Sequence, residues 1–201
     1  SSPTGEFGLK QDISFGSNDA FRARTNLNLP ALGMLSVKFS YLHDEDSGTS
    51  DNLIGGQRID LRSFDPDFGV LKYDDDLGSK DADAFMVAAR LALNDDLTVD
   101  YKFDYTDSDT VGNPSQMLGI TGGALNGMVQ FINSLQPQYG GITNVSIKRL
   151  NNVAAATSVE PLEVLGHNLT VNWGISDEVN FKSITAWREM KQKPNIYDLA
   201  A

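Results

Sequence analysis

The sequence predicts an all-β fold in which about seven antiparallel strands follow one another along the chain. Apolar and polar residues alternate with a period of two through much of the 201-residue sequence, and neighbouring residues of a strand point to opposite faces. Clusters of Gly, Pro, Asn and Asp separate the alternating stretches, as expected of turns. The connections between these stretches differ greatly in length, and this difference narrows the fold class further.

The first three strands are expected near 6–15, 20–29 and 34–42. From Phe21 to Leu29 the odd positions are mostly apolar, whereas the even positions are arginine or asparagine. Turn-forming residues, Gly16-Ser17-Asn18-Asp19, precede this strand, so the first two strands form a predicted hairpin. A second turn at Pro30-Ala31-Leu32-Gly33 leads into the third strand.

Four further strands are expected near 84–93, 97–106, 163–173 and 179–188. The short polar segments Asn94-Asp95-Asp96 and Ser176-Asp177-Glu178 join them pairwise into two hairpins. The alternation weakens at Ser183-Ile184-Thr185-Ala186, a change that is compatible with a β-bulge.

Two long connections, at 43–83 and 107–162, alternate with short turns, and the turn at 16–19 is the one exception. Outer-membrane β-barrels have short periplasmic turns and long external loops, and strands of about ten residues suit a tilted crossing of the bilayer. We therefore predict that residues 1–201 form part of an antiparallel up-and-down transmembrane β-barrel. Its apolar face would contact lipid, and its polar face would line the interior.

One short helix is expected inside the second long loop. Apolar residues recur there at helical spacing, and Pro137 ends the pattern. These residues are Leu125, Met128, Val129, Ile132 and Leu135. We expect the helix to pack on neighbouring loops or over the barrel mouth, and a role in gating or partner docking is the alternative.

Composition and motifs exclude several classes of function. With 27 acidic against 16 basic residues and a net charge of -11, the chain is not expected to bind nucleic acid, which requires a basic surface. There is no cysteine, and the two histidines, His43 and His167, are far apart in sequence. We therefore expect no metal and no cofactor. No nucleophile elbow, phosphate loop or zinc-protease motif occurs, so no enzyme is expected.

Several segments resemble one family of membrane proteins. The opening hairpin combines Gly5-Glu6-Phe7-Gly8-Leu9-Lys10 with an arginine-rich second strand that ends at Pro30. A polar turn precedes Leu97-Thr98-Val99, and Leu169-Thr170-Val171-Asn172-Trp173 is followed by Lys182-Ser183-Ile184-Thr185-Ala186-Trp187-Arg188. These segments occur in order along nearly the whole chain, and together they resemble the barrel of TonB-dependent outer-membrane receptors.

This resemblance implies energised uptake of a scarce nutrient, such as an iron chelate, cobalamin or a carbohydrate, across the outer membrane of a Gram-negative bacterium. In such receptors the external loops and a plug domain bind a small-molecule ligand, and the TonB protein acts on the plug. The implied partners are therefore outer-membrane lipid and lipopolysaccharide, the plug domain, the rest of the barrel, TonB and the ligand.

The chain also departs from the family pattern. Receptors of this family have an N-terminal plug domain and a barrel of about 22 strands, whereas seven strands cannot close such a barrel in lipid. We therefore expect residues 1–201 to be the first third of the barrel of a longer protein. A passive porin-like channel and a soluble or surface β-sheet structural protein are the alternatives.

Basic residues on the inward face of the strands are the candidates for lining the lumen. They are Arg22, Arg24, Lys38, Lys102, Lys182 and Arg188. In one interpretation they contact the plug or attract an anionic substrate. In the favoured interpretation they form ion pairs with Asp12, Asp100 and Asp104 on neighbouring strands.

Acidic clusters in the long loops are the candidates for ligand contact. We assign this role to His43, Asp44, Glu45 and Asp46, at the start of the first long loop. Further clusters occur at 74–76 and 104–109, but no ordered calcium-binding loop accompanies them. Solvated acidic loops are the favoured interpretation, and no metal ligand is assigned.

Overall fold

A computed structural model describes residues 2–60, 62, 66, 69–113, 115–116, 147–155 and 157–192, and these residues form twelve β-strands and no α-helix. Seven strands are long: β1 (Gly8–Phe15), β2 (Phe21–Asn28), β3 (Leu35–Asp46), β8 (Lys80–Ala92), β9 (Leu97–Val111), β11 (Val159–Ser176) and β12 (Val179–Gln192). Five are short: β4 (Ser50–Asn52), β5 (Arg58–Asp60), β6 (Val70–Lys72), β7 (Asp76–Leu77) and β10 (Asn152–Val153).

The seven long strands form one antiparallel sheet in the order β1-β2-β3-β8-β9-β11-β12. Each long strand therefore lies beside the long strands that precede and follow it in sequence. This arrangement confirms the prediction of an all-β fold with seven antiparallel strands. Within the described residues, β1 and β12 are the two edges of the sheet.

Several strands continue beyond their expected ends. Because β3 reaches Asp46, β9 reaches Val111 and β11 begins at Val159, the long connections shrink to 47–79 and 112–158. The short turns at 29–34, 93–96 and 177–178 all lie at one end of the antiparallel sheet. The described residues contain no helix that is long and apolar enough to cross a membrane. The helix expected at 125–135 falls outside them.

Residues Ser183–Ala186 contain no β-bulge. These residues pair without interruption with residues 168–171 of β11, and the register shift lies between Gly174 and Ser176 instead. The alternation weakens because apolar Ile184 shares a face with polar Lys182, while the backbone pairing stays regular.

Strand pairing sorts the side chains onto two faces. Directly opposed residues of neighbouring strands share a face, and Phe15 pairs with Phe21 while Asp12 pairs with Arg24. The other strand pairings, and contacts such as that of Phe103 with His167, extend this rule across the sheet. The odd-numbered residues of the seven strands therefore lie on one side. We call this side the apolar face and the even-numbered side the polar face.

Burial in the sheet is the reverse of that in a water-soluble sheet protein. On the polar face, Ala88 is completely buried and even Lys38 is only 8% exposed. On the apolar face, Phe39 is 42% and Phe85 43% exposed. Apolar side chains normally avoid water and charged ones normally face it, so nothing among the described residues covers the apolar face as a core would.

The described chain divides into two compact units. The sheet unit comprises residues 2–46, 81–109 and 161–192, and the connection unit comprises the described residues of 47–80 and 110–160. In the connection unit β10, β4 and β7 form a three-stranded sheet, and β5 pairs with β6. These short strands were not predicted, because two or three residues are too few to show a period.

The connection unit has a buried core of its own. Leu77, Val111, Val153 and Ala155 form one apolar cluster. Beside it, the buried side-chain amide of Asn52 donates to the carbonyl of Asp74 at 2.7 Å and accepts from the backbone N–H of Ala155 at 3.0 Å. A single amide therefore joins two segments that are distant in sequence.

Candidate functional site

The six basic candidates all lie on the polar face of the sheet. Arg22, Arg24 and Lys38 belong to β2 and β3, Lys102 to β9, and Lys182 and Arg188 to β12. Even numbering in every strand puts them on one side, because each strand continues the two-residue repeat of its neighbours.

Arg188 and Arg22 form ion pairs with residues of other strands. Arg188 donates to the Asp104 carboxylate at 2.8 Å, and Arg22 lies 4.0 Å from Asp44. Asp100 is held instead by Arg90, at 2.7 Å, and Arg90 was missed from the candidate list. The two-residue repeat of a strand could have identified it, because Arg90 lies between Ala89 and Leu91 of the predicted apolar face.

A glycine leaves room for the contact between Arg188 and Asp104, which lie on strands that are not adjacent. Arg188 on β12 pairs in register with Gly166 on β11, and Asp104 lies on β9 beyond it. A Cβ atom at position 166 would lie 2.8 Å from both carboxylate oxygens of Asp104. The missing side chain therefore leaves the space through which Asp104 reaches Arg188 across the intervening strand.

An open cavity of about 340 Å³ lies on the polar face. Lys10, Arg24 and Lys38 contribute positive charge to its lining, and Asp12 and Asp104 contribute negative charge. Of the described carboxylates, none lies within ion-pair distance of Arg24. This surface can therefore hold an anionic or strongly polar group.

A second polar cluster lies on the apolar face, where β3 and β8 are neighbours. The Nδ1 atom of His43 lies 3.0 Å from Asp83 Oδ1 and 4.0 Å from Asp81 Oδ1. On the other side of the ring, Nε2 lies 3.4 Å from Glu45 Oε2. The Tyr41 hydroxyl donates to Asp83. We call His43, Glu45, Asp81 and Asp83 the rim cluster.

The rim cluster shifts the titration of its members. The hydrogen bond to Asp83, aided by the negative charges of Asp83 and Glu45, raises the pKa of His43 above its ordinary value. The hydrogen bonds from Tyr41 and His43 lower the pKa of Asp83. Both residues lie just outside the strand segments 34–42 and 84–93 that were expected to cross the membrane.

The structure separates the four residues assigned to ligand contact. All four belong to β3, so the expectation that they begin a loop is wrong. The reason is that β3 continues through Asp46 by pairing with β2, where Asp44 lies opposite Arg22. His43 and Glu45 lie on the apolar face, whereas Asp44 and Asp46 lie on the polar face.

Aromatic rings form rows of contacts on the apolar face. Phe21 lies between Phe15 and His43, with ring-centroid distances of 5.3 and 5.9 Å. Further across the sheet, the rings of Phe85, Phe103, His167 and Trp187 contact one another in succession at 5.2 to 6.1 Å. With the two histidine rings included, these contacts involve one ring from each of the seven long strands.

Comparison with known proteins identifies no relative. No protein family model matches the sequence, and no curated protein or solved structure is significantly similar to it.

Proposed function

We propose that the chain forms part of the barrel wall of a TonB-dependent outer-membrane receptor, which takes up a scarce nutrient with energy delivered through TonB. The observation that carries this proposal is the reversed burial of the seven-stranded sheet. Exposing apolar surface to water costs roughly 25 cal/mol per Å². A bilayer removes this cost, because in outer-membrane barrels the apolar residues of each strand contact lipid and the polar residues face the interior.

The aromatic rows on the apolar face support a membrane location. Aromatic residues concentrate at the two surfaces of a bilayer, where an amphipathic ring contacts both headgroups and hydrocarbon. Trp187 and Phe15 are 52% and 80% exposed. A band of such rings beside the charged rim cluster has the composition expected at the outer surface of the membrane.

The open edges of the sheet support a barrel that further strands complete. In hydrocarbon, unpaired backbone groups of β1 and β12 would each cost several kcal/mol, about 2–7 kcal/mol per group. Further strands of the same barrel are therefore the partners proposed for both edges. The exposed Ile13 on β1 and Met190 on β12 agree with edges that are covered in the assembled protein.

The polar face supplies the surface proposed for the lumen. Its ion pairs, such as Arg188 with Asp104, neutralise charge locally, while Arg24 and Lys38 line an open cavity. In a plugged barrel, these groups would contact the plug domain or an anionic ligand. The assignment to energised receptors, as opposed to passive channels, is supported by the sequence resemblance.

Uptake measurements test this function. Cells that express the complete protein are given radiolabelled iron chelates, cobalamin or oligosaccharides, in strains with and without TonB. We expect one nutrient class to accumulate only when both the protein and TonB are present. Uptake that persists without TonB would identify a passive channel and contradict the proposal. So would recovery of the protein outside the outer-membrane fraction.

A further inference from the structure

We propose that the rim cluster binds a divalent transition-metal ion of the Zn²⁺ type through His43 Nδ1 and the carboxylates of Asp81 and Asp83. The inference is independent of the proposed function, since the cluster is built from contacts between β3 and β8 alone. Each of the three residues offers one ligand atom, and these atoms lie within 4.8 Å of one another.

The spacing of the ligand atoms fits zinc after small movements. Zinc binds nitrogen and oxygen at about 2.0–2.2 Å, which places neighbouring ligands of a tetrahedron about 3.4 Å apart. The Nδ1 atom lies 3.0 Å from Asp83 Oδ1, slightly less than this separation, and 4.0 Å from Asp81 Oδ1, slightly more. Asp81 is 67% exposed, so its side chain can turn towards the ion.

The second nitrogen of the ring already has the partner that a metal-bound histidine requires. A ligating imidazole commonly donates its other N–H to a carboxylate, which fixes the tautomer and strengthens the ligand. His43 Nε2 faces Glu45 at 3.4 Å. Similarly, the hydrogen bond from Tyr41 orients the Asp83 carboxylate. These supporting contacts orient the imidazole of His43 and the carboxylate of Asp83.

Charge also favours a divalent cation at this place. Three carboxylates surround one imidazole, and within the described part of the chain His43 is the sole cationic group within ion-pair distance of Asp81 or Asp83. The nitrogen ligand favours Zn²⁺ over Ca²⁺ and Mg²⁺, because those ions prefer oxygen ligands alone and in larger number.

Zinc titration of the complete protein, purified without a polyhistidine tag and freed of metal with a chelator, tests the site. We expect one high-affinity Zn²⁺ per chain. H43Q and D83N should weaken binding more than about 100-fold and E45Q roughly 10–100-fold, the usual loss for a partner of a metal-bound histidine. The matched controls are D44N, the neighbouring carboxylate on the other face, and H167Q, the other histidine. Neither should change the affinity.

A second variant and a spectroscopic measurement separate metal binding from folding. D81N changes an exposed side chain, so this variant should fold as the wild type does and still lose affinity. Zinc should also perturb the ¹⁵N signals of the His43 ring and leave those of His167 unchanged. Equal affinity of H43Q and the wild type, equal perturbation of both histidines, or equal affinity for Ca²⁺ and Zn²⁺ would overturn the proposal.

Discussion

The contacts of His43 depend on strand pairing. Its imidazole lies among Glu45, Asp81 and Asp83 and next to the Tyr41 hydroxyl, which bonds to Asp83. The sequence predicts strands only near 34–42 and 84–93, so two sets of residues, 43 and 45 at one end of the connection and 81 and 83 at the other, were assigned to a loop. It cannot indicate that the two sets meet, because His43 and Asp83 are 40 positions apart and the intervening segment does not reveal which strands pair.

The titration of His43 provides a test at this scale. In metal-free protein we expect the pKa of His43 to exceed the ordinary 6.5, chiefly through the hydrogen bond to Asp83, with the negative charges of Asp83 and Glu45 adding to the effect. Because the folded pKa is raised, protonation contributes stability in full below about pH 6.5, and this contribution is lost as the pH rises through the folded pKa.

Nuclear magnetic resonance measures this titration directly, with H167Q used to assign the two histidines. D83N should lower the pKa of His43, because it removes both the charge and the strongest hydrogen-bond acceptor. D44N, on the opposite face of the same strand, should leave the pKa unchanged. A pKa that is the same in D83N and the wild type would show that the observed contact does not govern the titration.

The face on which the basic residues lie was predictable from the sequence, whereas their ion-pair partners were not. Alternation correctly groups them on one face, since the strand repeat alone decides this. The choice of partner depends on register and on gaps such as the one at Gly166, which lets Asp104 reach Arg188. Asp100 was expected to pair with one of the six candidates, yet Arg90 is closer because it lies on the adjoining strand of the same hairpin.

At the scale of elements, long strands were predictable and short ones were not. The seven long strands each contain enough alternating residues to show a period of two. β4 and β7 have three and two residues, and what stabilises them is a buried cluster with Asn52 at its side, which arises only after distant segments meet. The helix expected at 125–135 remains a prediction.

Gly48 is expected to be essential for the sheet that contains β4 and β7. Its φ is +77°, and an added Cβ would lie 2.7 Å from the backbone nitrogen of Ser79 and would overlap the carbonyl of Leu77. Gly69 provides a matched control in the same unit, with φ +66° and nothing within 4 Å of an added Cβ among the described residues.

The backbone N–H of Thr49 donates to the carbonyl of Leu77. Hydrogen exchange of this amide measures how far each alanine variant destabilises the sheet. Alanine in left-handed conformation costs about 1–2 kcal/mol, so G69A should destabilise its own surroundings by this amount. G48A should cost roughly 1–3 kcal/mol more, because overpacking adds to the strain. If Thr49 exchanges in G48A as slowly as in the wild type, the close approach of the two segments is incorrect.

At the scale of the whole molecule, the two faces of the seven-stranded sheet differ in chemistry and in burial. The sequence predicts the chemical difference, because alternation alone produces one apolar and one polar side. Alternation alone does not decide which side is enclosed, and the prediction of a polar interior depended on the strand and loop lengths that are typical of barrels. The exposed Phe39 and the buried Lys38 are neighbours in one strand, and their contrast supports the proposal of a barrel wall with lipid outside.

Two variants, each with one spin label on β11, test most directly whether the apolar face contacts lipid. The chain has no native cysteine, so a single cysteine at Leu169, on the apolar face, or at Thr170, on the polar face, carries the only label. In protein reconstituted into lipid vesicles, we expect the label at 169 to be accessible to oxygen and not to a water-soluble nickel complex. The label at 170 should show the reverse. Equal accessibility to the nickel complex at both positions, or a label at 169 shielded from both reagents as in a protein core, would contradict a lipid-facing sheet.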